Sequence, residues 1–410
     1  MRGRRLILAI LCAVVTPGVF AQDLALVGGT IYVSPTAEPI PNGVVLIRGG
    51  KIAAVGSRAA VQVPATLQSL DCSGRTITAG FWNSHIHFFE RKWINAAAIP
   101  TAELASQLQD MLTRYGFSSV FDLGSPWENT RRIRQRIESG EVPGPRIRST
   151  GEVLIAPHAM PADNMLAVLG DMPLHNLEVT SADQAAEAAR KLLEQGVDGI
   201  KVHLQPPPPP NPPFPANGIP AVVAQAHRAG KPVFVHPNSG ADVLAAARAG
   251  VDVIAHTTPQ SGPWDETILM AMKNAGVALT PTLTLWKSAM RHDLFSTQER
   301  YTNTATGQLQ AWVALGGTVL FGTDLGAVDY DPAEEYGLMS AARMNFRQIL
   351  ASLTTTPAER FGESQRLGRV APGLEADLVV LKGDPSQNVR GLAAVEYTLR
   401  SGKIIYRSAN

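Results

Sequence analysis

Short apolar runs bounded by Gly, Pro, Asn and Asp recur along the chain. Through its middle they alternate with longer stretches rich in Ala, Leu, Gln and Glu. Residues 80–88, 118–123, 146–154, 199–204, 232–236, 252–256, 277–279 and 319–323 read as strands. The spacing of apolar residues predicts helices between them, over 102–115, 182–195, 241–249 and 332–352 among others. Eight such alternations predict an α/β fold, a (β/α)8 TIM barrel over residues 78–364, with its chemistry at the carboxyl ends of the strands. The flanks read differently. Leu24-Ala25-Leu26-Val27, Val44-Val45-Leu46-Ile47 and 51–55 near one end match 376–381, 395–399 and 403–406 near the other, with Gly28-Gly29 and Gly49-Gly50 at turns. These two sets predict a small discontinuous β-sandwich made from both termini, residues 22–77 and 365–410.

One segment departs from both patterns. Residues 205–215 are mostly proline, which predicts an extended or polyproline II course. Because this run follows a predicted barrel strand directly, it would rise over the active face as a wall or lid.

Composition narrows the setting. The 410 residues carry 36 Lys+Arg against 35 Asp+Glu, a balance that points away from nucleic acid as a partner. Arg2, Arg4 and Arg5 precede the apolar run from Leu6 to Val15, and Val19-Phe20-Ala21 places small residues where a signal peptidase cuts. Residues 1–21 therefore read as a secretory signal peptide, too short in its apolar part to span a membrane, and the destination as periplasmic or secreted. Its removal leaves Cys72 as the one cysteine, so no intrachain disulfide forms in the mature chain.

Candidate chemistry gathers at the predicted strand ends. In Asn83-Ser84-His85-Ile86-His87, strand alternation turns His85 and His87 to one side and Ile86 to the other, so two imidazoles could chelate one metal ion. Lys201 lies in Gly199-Ile200-Lys201-Val202-His203, His236 ends Pro232-Val233-Phe234-Val235-His236, His256 ends Val253-Ile254-Ala255-His256, and Asp324 follows Gly322-Thr323. Each alone has a plain structural reading, as helix cap, core histidine or solvated lysine. Their shared position at the same ends of successive strands is what points to a metal centre.

These motifs resemble those of the amidohydrolase superfamily. Residues 80–87 resemble its first-strand metal motif, 251–256 its sixth-strand histidine motif, Gly322-Thr323-Asp324 its eighth-strand aspartate motif, and 368–380 its return into the β-sandwich. Within the superfamily the chain is most similar to the imidazolonepropionase-related branch that includes Xaa-Pro dipeptidases. The resemblance implies two divalent metal ions, zinc first and manganese or iron as options. His85, His87 and Asp324 would hold one, His236 and His256 the other, and Lys201, carboxylated by carbon dioxide, would bridge both. A carbamate offers two anionic oxygens, whereas an unmodified ammonium among apolar residues is costly to bury. Asp324 would be the catalytic residue that moves the proton from attacking hydroxide to leaving nitrogen. His203, two residues beyond Lys201 on the same face, and His158, in the loop after the third strand, are candidate substrate contacts.

Alternatives differ in the residues they require. Deaminases of the superfamily typically carry Glu three residues after the fifth-strand histidine, where this chain has Ser239. A mononuclear imidazolonepropionase-like enzyme would need neither Lys201 nor a signal peptide. A catalytically inactive metal-binding protein would not need every ligand type, and all are here. The expected substrate is a small molecule, an Xaa-Pro dipeptide or N-acyl amino acid first, and the oligomeric state, homo-oligomer included, stays open.

Overall fold

The computed structural model describes residues 23–159, 176–291 and 293–409. The signal-peptide reading of residues 1–21 lies outside the described residues. No helix among those described is long and apolar enough to cross a membrane.

The fold is mixed α/β with parallel sheet. Phe81–Ile86, Phe117–Asp122 and Arg146–Ser149 pair in parallel in that order. A second parallel set runs from Leu154–Ile155 through Ile200–His203, Val233–His236, Val253–Ala255 and Ala278–Thr280 to Thr318–Val319, with Leu177–Glu178 outside Leu154–Ile155. Backbone bonds join the sets at both margins. The Asp198 N–H donates to Ser149 O at 2.7 Å on one side. On the other, the N–H groups of Ser84, Asp324 and His87 donate to Phe321 O, His85 O and Leu325 O at 2.8, 2.9 and 2.7 Å.

Side-chain alternation divides these strands between two cores. Phe121, Phe234, Val253, Ala255, Ala278 and Leu320 form an inner cluster with Trp82. Val120, Val233, Val235, Ile254 and Leu279 lie in the larger cluster shared with the helices, among them Leu104 and Leu108 of Thr101–Met111. Each fully buried Leu, Val or Phe contributes about 1.5–3 kcal/mol. The inner cluster is closed at the amino ends of the strands by Phe361, whose ring lies 5.0 Å from Phe121 and 5.5 Å from Trp82.

Strands from both termini share one further sheet. Its order is Lys403–Arg407, Val395–Arg400, Leu378–Lys382, Arg75–Ala79, Leu24–Ile31, Ile40–Arg48, Lys51–Ser57, with Gln68–Asp71 also paired to Leu24–Ile31. Leu24 and Leu26 join a core with Val45, Ile47, Leu378 and Leu399, whereas Ala25 and Val27 join another with Val44 and Leu46, the two-residue period of a sheet buried on both faces.

Several expected boundaries shift. The strand expected over 146–154 breaks between Ser149 and Leu154, where Gly151 has φ 64°. The helix expected over 332–352 is two, Ala333–Ala341 and Phe346–Leu353. Arg343 at φ 70° ends the turn between them, and Asn345 starts the second with a capping box to Gln348. The proline-rich run is not extended throughout: the Asn211 N–H donates to Pro208 O at 3.2 Å, and Phe214 packs against Ile155, Ala156 and Ala159. The run thus folds down on the loop after Leu154–Ile155.

Candidate metal centre

Alternation brings Lys201 and His203 to the inner side of Ile200–His203, since Ile200 and Val202 pack outward. On Val233–His236, Phe234 is inside and His236 follows it two residues on. Two other positions depart from simple alternation. Trp82 and His85 both reach the interior although three residues apart, because the strand is irregular between Asn83 and Ile86. Asn83 holds this stretch: its Oδ1 accepts from His85 N at 3.2 Å and Thr323 N at 3.3 Å, and its Nδ2 donates to Thr323 Oγ1 at 2.8 Å. Trp82 and Trp93 are core residues.

His256 and Asp324 turn inward through the backbone. Val253 and Ala255 already face the interior, so a continuing strand would send residue 256 outward. His256 instead has φ 78° and Asp324 φ 65°, conformations that L residues seldom adopt and that cluster at functional sites. Gly322 makes room for this arrangement. A Cβ there would lie 2.3 Å from Thr280 Cγ2 and 2.8 Å from His85 Cβ.

The result is a file of imidazoles. Ring centroids step from His87 to His85 at 5.2 Å, to His256 at 4.5 Å, to His236 at 4.5 Å, and to His203 at 3.8 Å, the last pair stacked. Asp324 Oδ1 lies 2.8 Å from His87 Nε2 and 3.2 Å from His85 Nε2. His85, His256 and Asp324 each offer one ligand atom, all within 4.8 Å of one another. Lys201 is buried with them. His158 is elsewhere: it is exposed at φ 60°, and its N–H donates to Glu178 Oε1.

Burial sets the charge states. It pushes His85 down to about 3, helped by Lys201, and His203 likewise to about 3. His236 and His256 fall well below the usual histidine value, burial again leading. These rings are neutral, with lone pairs available. Burial lowers the Lys201 amine to about 7, with Asp324 pulling the other way. Burial alone would raise Asp324, but His85 and His87 hold its carboxyl well below the usual range.

The residues fit a metal. His85 Nδ1, Lys201 Nζ and Thr280 Oγ1 are buried without a hydrogen-bond partner, and Asp324 Oδ1 meets the ring nitrogens of His85 and His87. Each such group costs about 1–3 kcal/mol, so the concentration of several in one place is the mark of a site completed by something other than protein. Neutral imidazole and carboxylate are the donors zinc, manganese and iron take.

Sequence reasoning did not single out Thr280, Thr282 or Glu335. The Thr282 hydroxyl meets His256 Nδ1 at 2.6 Å, and Glu335 accepts from the N–H groups of Leu283 and Thr284, both at 2.8 Å. No motif signals them, since a lone threonine or glutamate in a helical stretch has no distinguishing pattern.

The amidohydrolase family profile matches residues 76–406. In sequence the chain is similar to adenine deaminase of Rubrobacter xylanophilus, 24% identical over 413 residues and 95% of this chain, of whose length it spans 58%. It is similar to ochratoxinase of Aspergillus niger, 24% identical over 419 residues, covering 90% of this chain and 83% of that one. Its fold is shared by an Xaa-Pro dipeptidase crystallised with methionine in the active site, with a TM-score of 0.79 at 20% identity over 94% of this chain and all of that one.

Proposed function

The chain belongs to the amidohydrolase family and is a hydrolytic enzyme acting on carbon–nitrogen bonds, and from that premise we propose that it is a binuclear, metal-dependent amidohydrolase. Its reaction is cleavage of an amide or peptide bond in a small molecule, with an Xaa-Pro dipeptide or an N-acyl amino acid as first candidates. We read the ring of parallel strands as a (β/α)8 TIM barrel over 78–364. The terminal sheet is then a composite domain of 22–77 and 365–410, closed on itself as a sandwich.

The observation that carries the reading is Lys201. Its Nζ is buried, has no partner, and sits among neutral imidazoles and one carboxylate. With its amine lowered to about 7, much of it is uncharged near neutral pH. The nitrogen lone pair can then attack carbon dioxide: an N–C bond forms, one N–H proton leaves to solvent, and the charge settles on two oxygens. As a carbamate Lys201 would bridge two ions, with His85, His87 and Asp324 on one and His236 and His256 on the other. Bound there, the ions would supply Lewis acidity toward the scissile carbonyl and toward water. Asp324, ionised by its position, takes the proton from the attacking water and passes it to the leaving nitrogen.

His203 is the better substrate contact. Its Nδ1 accepts the Gln205 N–H at 3.2 Å, so the proton of the neutral ring is on Nε2, a donor for a substrate oxygen. His158 is a contact only for a substrate that reaches the rim. Deamination fits less well than amide hydrolysis, because Ser239 caps the helix Gly240–Arg248, accepting from Asp242 N at 3.2 Å. A mononuclear centre is the second reading, favoured by the grouping of His85, His256 and Asp324 within 4.8 Å.

Elemental analysis of protein purified with bicarbonate tests this. Two metals per chain are expected, and one selects the mononuclear reading. Export of the chain is checked by the first residue of protein recovered from the native host, Gln22 being expected.

A further inference from the structure

We infer that Thr282, held in place by Glu335, is a positioning residue that presents His256 to the metal; the inference rests on the metal centre proposed above. Two residues in left-handed backbone touch each other here. His256, at φ 78°, places Nδ1 2.6 Å from the hydroxyl of Thr282, itself at φ 44°. Neither conformation follows from the strands that lead into them, Val253–Ala255 and Ala278–Thr280.

Glu335 fixes the second. This carboxylate is fully buried on the helix Ala333–Ala341 and accepts from Leu283 N at 2.8 Å, Thr284 N at 2.8 Å and the Thr284 hydroxyl at 3.0 Å. The turn after the seventh strand is thus clamped from a different element. Its first residue, Thr282, sets its hydroxyl against His256 Nδ1. The His256 N–H adds a further restraint by donating to Thr280 O at 2.8 Å.

The chemistry follows from the nitrogen that is used. With Nδ1 engaged by Thr282, Nε2 is the ring atom left to ligate. In the ligating ring Nδ1 keeps its proton and donates it to Thr282 Oγ1, which fixes the tautomer and the ring plane and raises the basicity of Nε2. Without the hydroxyl the ring could turn, and the left-handed backbone at 256 would lose a restraint.

The test is cobalt binding to full-length chain, by titration against a chelator with the visible cobalt bands as a second readout. Thr282→Val removes the hydroxyl at nearly constant shape and should weaken one of the two cobalt ions by about 10–100-fold, with a shift in its bands. Thr282→Ser should restore affinity and bands to near wild type, a rescue that a packing role would not give. Glu335→Gln, which sets an amide N–H₂ against backbone donors, should weaken the same ion to a smaller degree, and it carries the test if Thr282→Val does not fold. Wild-type affinity and bands in the folded variants overturn the inference alone. Failure of the wild-type chain to bind any metal overturns the proposed metal centre and this inference together.

Discussion

Around the strand Arg146–Ser149, charged side chains pair with one another. Arg146 meets Asp377 at 2.8 Å and Glu375 at 2.6 Å, Arg148 pairs with Glu363, and Arg366 joins Glu363 and Glu375. At the carboxyl ends of neighbouring strands, Lys201 Nζ and His85 Nδ1 lie buried with no hydrogen bond. The two ends differ in burial as well as in pairing: the Arg146 side chain is 12% and that of Arg366 52% exposed, against 0% for His85 and 5% for Asp324. One end closes its polar groups on one another and on the returning chain, while the other leaves them aimed at a common point. Stability resides in the first. The second spends it, which is tolerable only where a ligand repays the desolvation.

Changes at the carboxyl ends should strike activity hardest. Asp324→Asn keeps size and hydrogen-bonding capacity but cannot accept a proton, so turnover should fall by about 10²–10⁴-fold. Steady-state rates on whichever amide proves a substrate check this, and near-normal rates would remove Asp324 as the proton carrier.

At the amino ends the effect should be on folding. Arg146→Ala strands Asp377, whose side chain is 4% exposed, and should destabilise the protein by about 3–5 kcal/mol. Metal content and rate per folded molecule should stay the same. Urea unfolding measures the first, and a change in metal stoichiometry would break the division between the two ends.

The smallest effect sharpens the contrast most. Lys201→Met removes an unpaired buried amine and should stabilise the metal-free, bicarbonate-free protein by about 1–3 kcal/mol while abolishing the second metal. The sign with pH is fixed. The folded chain releases the Lys201 proton near 7, whereas the unfolded chain holds it to about 10.5. Lys201 therefore costs the fold most below about 7, where the buried amine must be charged, and that cost is relieved as pH rises to about 10.5. Thermal unfolding of the metal-free chain should show that rise with pH, and Lys201→Met should flatten it. An unchanged slope would mean that Lys201 is not desolvated.

Much of the centre was legible because strand alternation is a local property. Lys201 and His203 face inward because Ile200 and Val202 are apolar and pack outward, and four residues suffice to say so. The same logic failed in detail at His256, where alternation points outward and φ 78° reverses it. Between Asn83 and Ile86 an irregular register resets the phase of the strand, and no propensity announces it.

The order of strands and helices, the residue types gathered at one end of them, and the match between the two termini can be read along the chain, because each depends on periodicity and on neighbouring residues. Tertiary structure alone decided which of those residues meet. Thr282 lies 26 positions from His256, and Glu335 a further 53 beyond it. The backbone at 256 and 282 is set by contacts between elements rather than by any preference of histidine or threonine, since left-handed backbone in L residues persists only where the surrounding packing holds it.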